Sequence, residues 1–278
     1  MKFKKSANIT NLLTLKVSDA VCDLFIPENI DDIVQFSYNE KDFHILSGGS
    51  NIIAGKIKKP VLYMADMIGE SVTEECEESV LAYMPAGTRI DKLLNYLTKN
   101  GLSGPEFMAG IPGTLGGAII GNAAPKGYSW DGIVNSIVIA ENGEVRKFKP
   151  VFGYRTLLNK PKNPFIILAV ELILKKSSTV EIKKSIKDFS QKRIKIPYPS
   201  AGSLFKNPPE GFAASFIELS GCKGFNFNDA AIFEKHANIV INRGNATEAD
   251  FIELHDYIVG EVYVHFGIIL EHEVHFWK

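Results

Sequence analysis

The chain has 278 residues, 45% hydrophobic and 23% charged, with a net charge of −1. That length buries a full core and suffices for two or three subdomains, and the near-zero charge excludes the electrostatic footprint of a nucleic-acid or membrane-surface protein. The longest apolar run, over 165–170, is far too short to cross a bilayer. The opening MKFKKSANITNLL lacks the sustained apolar stretch of a signal peptide. Three widely spaced cysteines, Cys22, Cys76 and Cys222, argue for buried thiols in a reducing cytosol rather than for a disulfide framework.

In chain order, weak alternation predicts a strand over 12–21. A helix follows over 27–39, with Ile30, Ile33, Val34 and Ser37 on one face and Asp31 and Asp32 at its N-terminus. Strands are expected over 43–46 and 60–65, which makes a small β-α-β unit. A strand over 79–85 leads to an amphipathic helix over 89–100, whose Ile90, Leu93, Leu94 and Leu97 share a stripe and which Gly101 stops. Strands over 133–140 and 145–149 flank Asn142-Gly143, the strongest short hairpin signal. The continuous apolarity of 165–174 reads as a buried strand. Ser178 to Glu181 forms a capping box for a charged helix running to about Lys192. The prolines at 197 and 199 then make a linker. A short helix over 213–219, strands over 230–233 and 238–241, a capped helix beginning after Thr247 and a last strand over 268–277 complete the chain. Residues 68–176 read as a second α+β unit.

Two uncharged glycine loops interrupt these elements. Ser47-Gly48-Gly49-Ser50-Asn51 follows the strand over 43–46. The run over 104–124, GPEFMAGIPGTLGGAIIGNAA, has glycines at 110, 113, 116, 117 and 121 and no charged side chain after Glu106. Glycines this dense are expected to exclude helix or strand interior, each costing about 0.5–1 kcal/mol there. They let backbone N–H groups form an anion-binding concavity. With no cation nearby, a pyrophosphate held by backbone dipoles is one reading and a tight structural loop the other. No G-x-G-x-x-G fingerprint exists, so a Rossmann site is unsupported and a large dinucleotide between two subdomains is favoured.

Further residues have chemical potential. Arg155 follows Phe152-Gly153-Tyr154 and reads equally as a surface cation. Ser203 and Lys206, in Ala201-Gly202-Ser203-Leu204-Phe205-Lys206-Asn207, could line a pocket or a turn. Alternation in the last strand puts Glu271, Glu273 and His275 on one face; a carboxyl desolvated there could stay protonated and donate a hydrogen bond, and a solvated strand face is the other reading. His236, His265, His272 and His275 lack metal-ligand spacing, so no metal is expected. No G-x-S-x-G elbow supports a hydrolase.

Taken together, these stretches resemble one family, the UDP-N-acetylenolpyruvoylglucosamine reductases. The resemblance rests on Gly48-Gly49-Ser50-Asn51, on the run from Ala109 to Gly117 with Asn122, on Gly153-Tyr154-Arg155 and on the run from Ser200 to Pro208. It continues through Lys235-His236-Ala237-Asn238, Asn245-Ala246-Thr247 and the run from Leu270 to Val274. It implies an α+β fold: an FAD-binding fold of the vanillyl-alcohol-oxidase type, with subdomains over 1–67 with 266–278 and over 68–176. A helix and linker over 177–198 would then lead to an α+β substrate domain over 199–265. The short connection to Pro199 is similar to the branch lacking an extra tyrosine-bearing loop.

The resemblance also implies an FAD-dependent oxidoreductase of peptidoglycan precursor synthesis. NADPH would reduce noncovalent FAD, which then reduces the enolpyruvyl ether of a UDP-sugar in the same site. Arg155 and Glu273 match the family's charge-stabilising pair and Ser203 its proton donor. Ser47, Gly48, Gly49, Ser50, Asn51, Gly110, Ile111, Pro112, Gly113, Thr114, Gly116, Gly117 and Asn122 match cofactor contacts. Tyr154, Lys206, Asn207, His236 and Asn238 match substrate contacts. The enzyme is expected to be a cytoplasmic monomer with no nucleic-acid or membrane partner. The chain departs from the family pattern at Ser18 and Asp19, where glycines are usual, and at Ser47, Phe233 and His275. The alternatives are a flavin oxidase or dehydrogenase of the same fold and a non-catalytic FAD-binding module.

Overall fold

The computed structural model describes every residue except Asp66, Ile68, Glu70 and Glu77. The chain forms two compact units. One comprises Met1–Phe3, Leu24–Gly48 and Pro60–Ile194, the other Lys4–Asp23, Gly49–Lys59 and Lys195–Lys278. The subdomain boundary expected at 67/68 falls beside Ile68, outside the described residues.

The first unit is built on an antiparallel sheet ordered Glu144–Phe148, Val134–Glu141, Phe165–Lys176, Val80–Pro85 and Val72–Glu75. Glu141 pairs with Glu144 across Asn142 (φ +52°) and Gly143 (φ +84°), two positive-φ residues as a tight primed turn requires. Helix α1 (Ile30–Asn39), capped by Asn29 on the Asp32 N–H at 2.9 Å, packs Ile33 and Phe36 against Leu62, Ala140 and Ile166. Helix α2 (Ile90–Lys99) buries Leu93 and Leu97 in a different cluster with Ile137, Ile139, Val170 and Leu172. Neighbouring residues of one strand thus enter opposite cores, which is why Phe165–Lys176 is apolar almost throughout. The expected β-α-β unit is present: Leu24 and Phe25 pair in parallel with Val61 and Leu62, and His44–Leu46 pairs in parallel with Val61–Tyr63.

One expectation about the long glycine loop is corrected. Its second half is helical: α3 (Leu115–Ile120) contains Gly116 and Gly117. Thr114 caps it, and Gly116 lies so close to Ala86 that a Cβ would stand 2.9 Å from the Ala86 Cβ. Packing outweighs the weak helix propensity of glycine. Helix α4 (Thr179–Gln191) starts from the capping box formed by Ser178 and Glu181.

In the second unit the sheet order is Ser200–Ser203, Ile239–Asn242, Ala230–Ile232 and Asn226–Phe227. Helix α5 (Ala213–Leu219) and helix α6 (Glu248–Phe266) accompany it. Thr247 and Asp250 cap α6, Gly267 ends it at φ +68°, and its Phe251, Leu254, Ile258 and Val262 are all fully buried. His275–Trp277 pairs in parallel with Ile52–Ala54.

Three further expectations change. The strand over 12–21 is instead a 3-10 turn at Thr10–Leu12 followed by turns; Leu13, Leu15 and Val17 are buried as their alternation indicates, but Lys16 at φ +52° breaks the extended backbone. The last strand forms only at His275–Trp277, because the residues before it run along Leu204–Lys206 instead. Of the three cysteines, Cys76 is exposed. Burial pushes the Cys22 and Cys222 thiols up to about 11, which makes them inert at neutral pH.

Candidate active site

In the first unit, Ser47 ends the strand His44–Leu46 and hydrogen-bonds the hydroxyl of Thr114. A Cβ on Gly48 would overlap the backbone of Gly113, so the ends of the two glycine loops meet glycine on glycine. Gly110 (φ +78°), Pro112 and Gly117 lie at the surface. Arg193 donates to the carbonyls of Phe107 (2.7 Å) and Ala109 (3.2 Å), fixing the entry to this loop from the end of α4.

Gly116 does not belong with these exposed positions. It is buried, and its N–H bonds the Ala86 carbonyl at 2.8 Å, while the Leu115 N–H bonds Thr88 at 2.8 Å. Those two donors are used inside the fold, and Gly116 packs against Ala86. Gly116→Ala is therefore expected to cost about 1–3 kcal/mol, the usual penalty for overpacking. A thermal melt against Gly117→Ala, where the nearest atom is the Thr114 hydroxyl at 3.4 Å, checks this.

Arg155 occupies the turn between Phe152–Gly153 and Thr156–Leu157 at φ +56°, a strained conformation for a residue other than glycine. One of its terminal nitrogens donates to the Ala124 carbonyl at 3.0 Å, and its guanidinium lies 5.5 Å from the ring of the exposed Tyr154. Such strain persists only where the surroundings over-determine it, and it clusters at functional sites.

In the second unit, Gly202 (φ +76°) makes a bulge between Ser200 and Ser203, and the Gly202 N–H bonds the Ser200 hydroxyl at 3.0 Å. A bulge re-aims the side chains that follow it. Beyond it, Leu204 accepts from the Glu273 N–H (2.7 Å), Phe205 bridges His272, and the Lys206 N–H bonds the Glu271 carbonyl (2.8 Å). Ser203 and Glu273 therefore lie on neighbouring antiparallel segments. Asn51 locks the second of these, donating from its amide to the Glu273 carbonyl at 3.0 Å and accepting from the His275 N–H at 3.0 Å. Gly49 (φ +61°) precedes it, where a Cβ would overlap the Leu12 carbonyl.

Several residues expected at the substrate also bond within the fold. Asn238 is buried, and its amide bonds both the N–H and the carbonyl of Phe205, at 2.9 and 2.7 Å. The Asn207 oxygen accepts from the Ala213 N–H at 3.0 Å, at the start of α5. Lys206 pairs with Glu271 at 3.2 Å, and His236 accepts from the Asn238 N–H at 3.3 Å. These four residues shape the Ser203–Lys206 segment.

Similarity to known proteins decides what the arrangement is. Residues 24–149 match a model described as an FAD binding domain, and residues 194–277 match the C-terminal domain of UDP-N-acetylenolpyruvoylglucosamine reductase. A protein of that name from Anoxybacillus flavithermus is 32% identical over 98% of this chain and 93% of its own. One from Alkaliphilus oremlandii is 34% identical over 95% and 90%. The crystal structure of the enzyme from Thermus caldophilus superposes with a TM-score of 0.83 at 25% identity, covering all of both chains. This chain belongs to the UDP-N-acetylenolpyruvoylglucosamine reductase family.

The family uses a flavin, and the residues present fit one. The FAD-domain match takes in both glycine loops. The exposed part of the long loop has no charged side chain, and Gly48 and Gly113 meet with no side chain between them, the composition a backbone anion site requires. No helix is long and apolar enough to cross a membrane, and no group of three or more metal-ligating side chains occurs among the described residues.

Sequence reasoning missed two residues that hold these loops in place. Arg193 carried no motif. Thr14, whose hydroxyl donates to the carbonyls of Ser200 (2.6 Å) and Gly49 (3.3 Å), lay in the stretch expected to be a strand. Another feature links the site to pH. His272 has its pKa lowered, first by burial, then by the charges of His255 and Lys206, with Glu271 opposing. The folded state thus binds its proton less readily than the unfolded chain. Stability should be full above the unfolded value near 6.5 and fall as pH drops below it. Melting temperatures at pH 7.5 and 5.5 should diverge, and His272→Gln should narrow the gap.

Proposed function

We infer that the chain is an FAD-dependent oxidoreductase that reduces the enolpyruvyl ether of UDP-N-acetylglucosamine enolpyruvate to UDP-N-acetylmuramate in peptidoglycan precursor synthesis. The observation that carries the reading is near full-length similarity to reductases of that name, together with the pairing of the Ser203 segment with Glu273.

A bound FAD would supply the hydride chemistry, from NADPH to C3 of the enolpyruvyl group. Addition there leaves a negative charge on C2, delocalised into the adjoining carboxylate as an enolate. Arg155, a fixed cation, and Glu273, as a protonated carboxyl, are assigned to stabilise that charge. One such preorganised donor is worth about 3–4 kcal/mol. The Ser203 hydroxyl is assigned to deliver the proton to C2, which completes the saturated lactyl ether, and its oxygen is reprotonated from solvent. Ser47, Gly48–Asn51, Gly110–Gly113, Thr114 and Gly117 are assigned to the flavin, and Tyr154 and Lys206 to the substrate. What supports these roles is the match of each residue except Ser47 to the family pattern, together with the strain at Arg155 and the bulge before Ser203.

The protein is proposed to act as a cytoplasmic monomer, with flavin-binding subdomains over 1–67 with 266–278 and over 68–176 and a substrate domain over 199–265. The exposed thiol of Cys76 fits a reducing compartment.

An absorbance spectrum of the purified protein followed by acid precipitation tests the cofactor. Yellow colour released into the supernatant is expected. Colour retained in the pellet would mean a covalent flavin and favour an oxidase of the same fold.

A further inference from the structure

We propose that Asn122 is a positioning residue for Arg155, fastening the hairpin that carries the guanidinium to the end of α3, and not a ligand of the flavin. The inference rests on the role assigned to Arg155 above.

Asn122 follows Gly121, the residue that closes α3, and adopts φ +41°. Asparagine is one of the few side chains that tolerate this left-handed conformation. Its amide is spent inside the fold. The nitrogen donates to the Gly153 carbonyl at 3.0 Å. The oxygen accepts from the Ser129 hydroxyl at 3.2 Å and from the Trp130 N–H at 3.1 Å, which uses both of its lone pairs.

The next two residues extend the same fastening. The Ala123 carbonyl accepts from the indole N–H of Trp130 at 3.0 Å, and Trp130 is fully buried. The Ala124 carbonyl accepts from Arg155 itself at 3.0 Å. Three successive residues therefore hold Gly153, Trp130 and Arg155 in one network. The hairpin needs such a hold. It has only two residues in each strand, and Arg155 stands at φ +56°, a conformation that its own preferences would relax. Because α3 begins in the glycine loop, the network ties the geometry of Arg155 to the element assigned to the cofactor. A catalytic charge misplaced by about 1 Å costs on the order of 10²-fold in rate.

The test uses flavin-loaded enzyme in a double-mutant cycle of Asn122 with Arg155. Asn122→Asp is the principal variant. Aspartate also tolerates positive φ and keeps the two acceptor bonds, but cannot donate to Gly153. Asn122→Ala removes all three bonds. FAD affinity, read by flavin fluorescence, should stay within about threefold in Asn122→Asp, and stopped-flow reoxidation by the enolpyruvyl substrate should slow by about 10–100-fold. In an Arg155→Ala background the same substitution should add less than about twofold, because the two residues act as one unit.

Full additivity in the cycle would overturn the proposal and leave the role of Arg155 standing. So would loss of FAD affinity with normal reoxidation of the loaded fraction, which would make Asn122 a flavin ligand. Arg155→Ala reoxidising at the wild-type rate would overturn the assignment of Arg155, and this inference with it.

Discussion

Ser203→Ala should leave the bleaching of the flavin by NADPH at its normal rate and slow reoxidation by the enolpyruvyl substrate by roughly 10²–10⁴-fold, the usual contribution of a positioned proton donor. The separation follows from the chemistry. Proton delivery to C2 comes after hydride has reached C3 and takes no part in moving hydride from NADPH to the flavin. The local fold keeps the substitution clean. The bulge at Gly202 is set by its φ of +76° and by the Ser200 hydroxyl, and the Leu204 N–H bonds the Asn238 carbonyl at 2.8 Å. None of these uses the Ser203 hydroxyl. Ser203→Cys, which keeps a proton and a similar size, should recover part of the loss. An alanine variant that bleached slowly and reoxidised normally would place Ser203 in NADPH binding. Two wild-type half-reactions would reduce it to a turn residue.

The second large effect concerns Glu273. If its carboxyl acts as a hydrogen-bond donor to the developing enolate, Glu273→Gln keeps part of the activity, because an amide still donates. Glu273→Ala should lose about 10²–10³-fold in kcat, the cost of one oxyanion-type donor. The backbone at this position is held on both sides, by Leu204 on its N–H and by Asn51 on its carbonyl, so either variant changes the head group and little else. Equal losses in the two variants would mean that a carboxylate is required.

Both predictions concern residues that the sequence made visible, and the reason is local. Elements with their own punctuation were legible. The capping boxes at Ser178 and Thr247 opened α4 and α6, Asn142-Gly143 made its turn, and the apolar stripe of α2 reaches the core it implies; of the face expected on α1, Ile33 and Ser37 are buried with Phe36, while Ile30 is exposed. Elements that depend on distant partners were not legible. Lys2–Asn8 and Val72–Glu75 are exposed strands with no apolar alternation to reveal them. Ile52–Ala54 is completed only by His275–Trp277. Leu115–Ile120 is a helix because Thr114 caps it and Ala86 packs on Gly116, and neither fact is written in the glycines themselves.

The same division runs through the site. Ser203, Glu273 and Arg155 stand in recognisable runs. Asn122, Asn238 and Asn207 hydrogen-bond Gly153, Phe205 and Ala213, and a side-chain amide looks the same in a sequence whether it faces a ligand or a backbone. Gly116 and Gly117 show this most directly: adjacent and identical in sequence, one is buried against Ala86 and the other is exposed.

The central claim is tested most directly by following NADPH oxidation by the flavin-loaded enzyme without oxygen, with and without UDP-N-acetylglucosamine enolpyruvate, and weighing the product. The account predicts sustained NADPH consumption only when the enolpyruvyl substrate is present. One NADPH should disappear for each UDP-N-acetylmuramate formed, a product heavier than the substrate by two hydrogens. A flavin that NADPH bleaches but this substrate cannot reoxidise would contradict it.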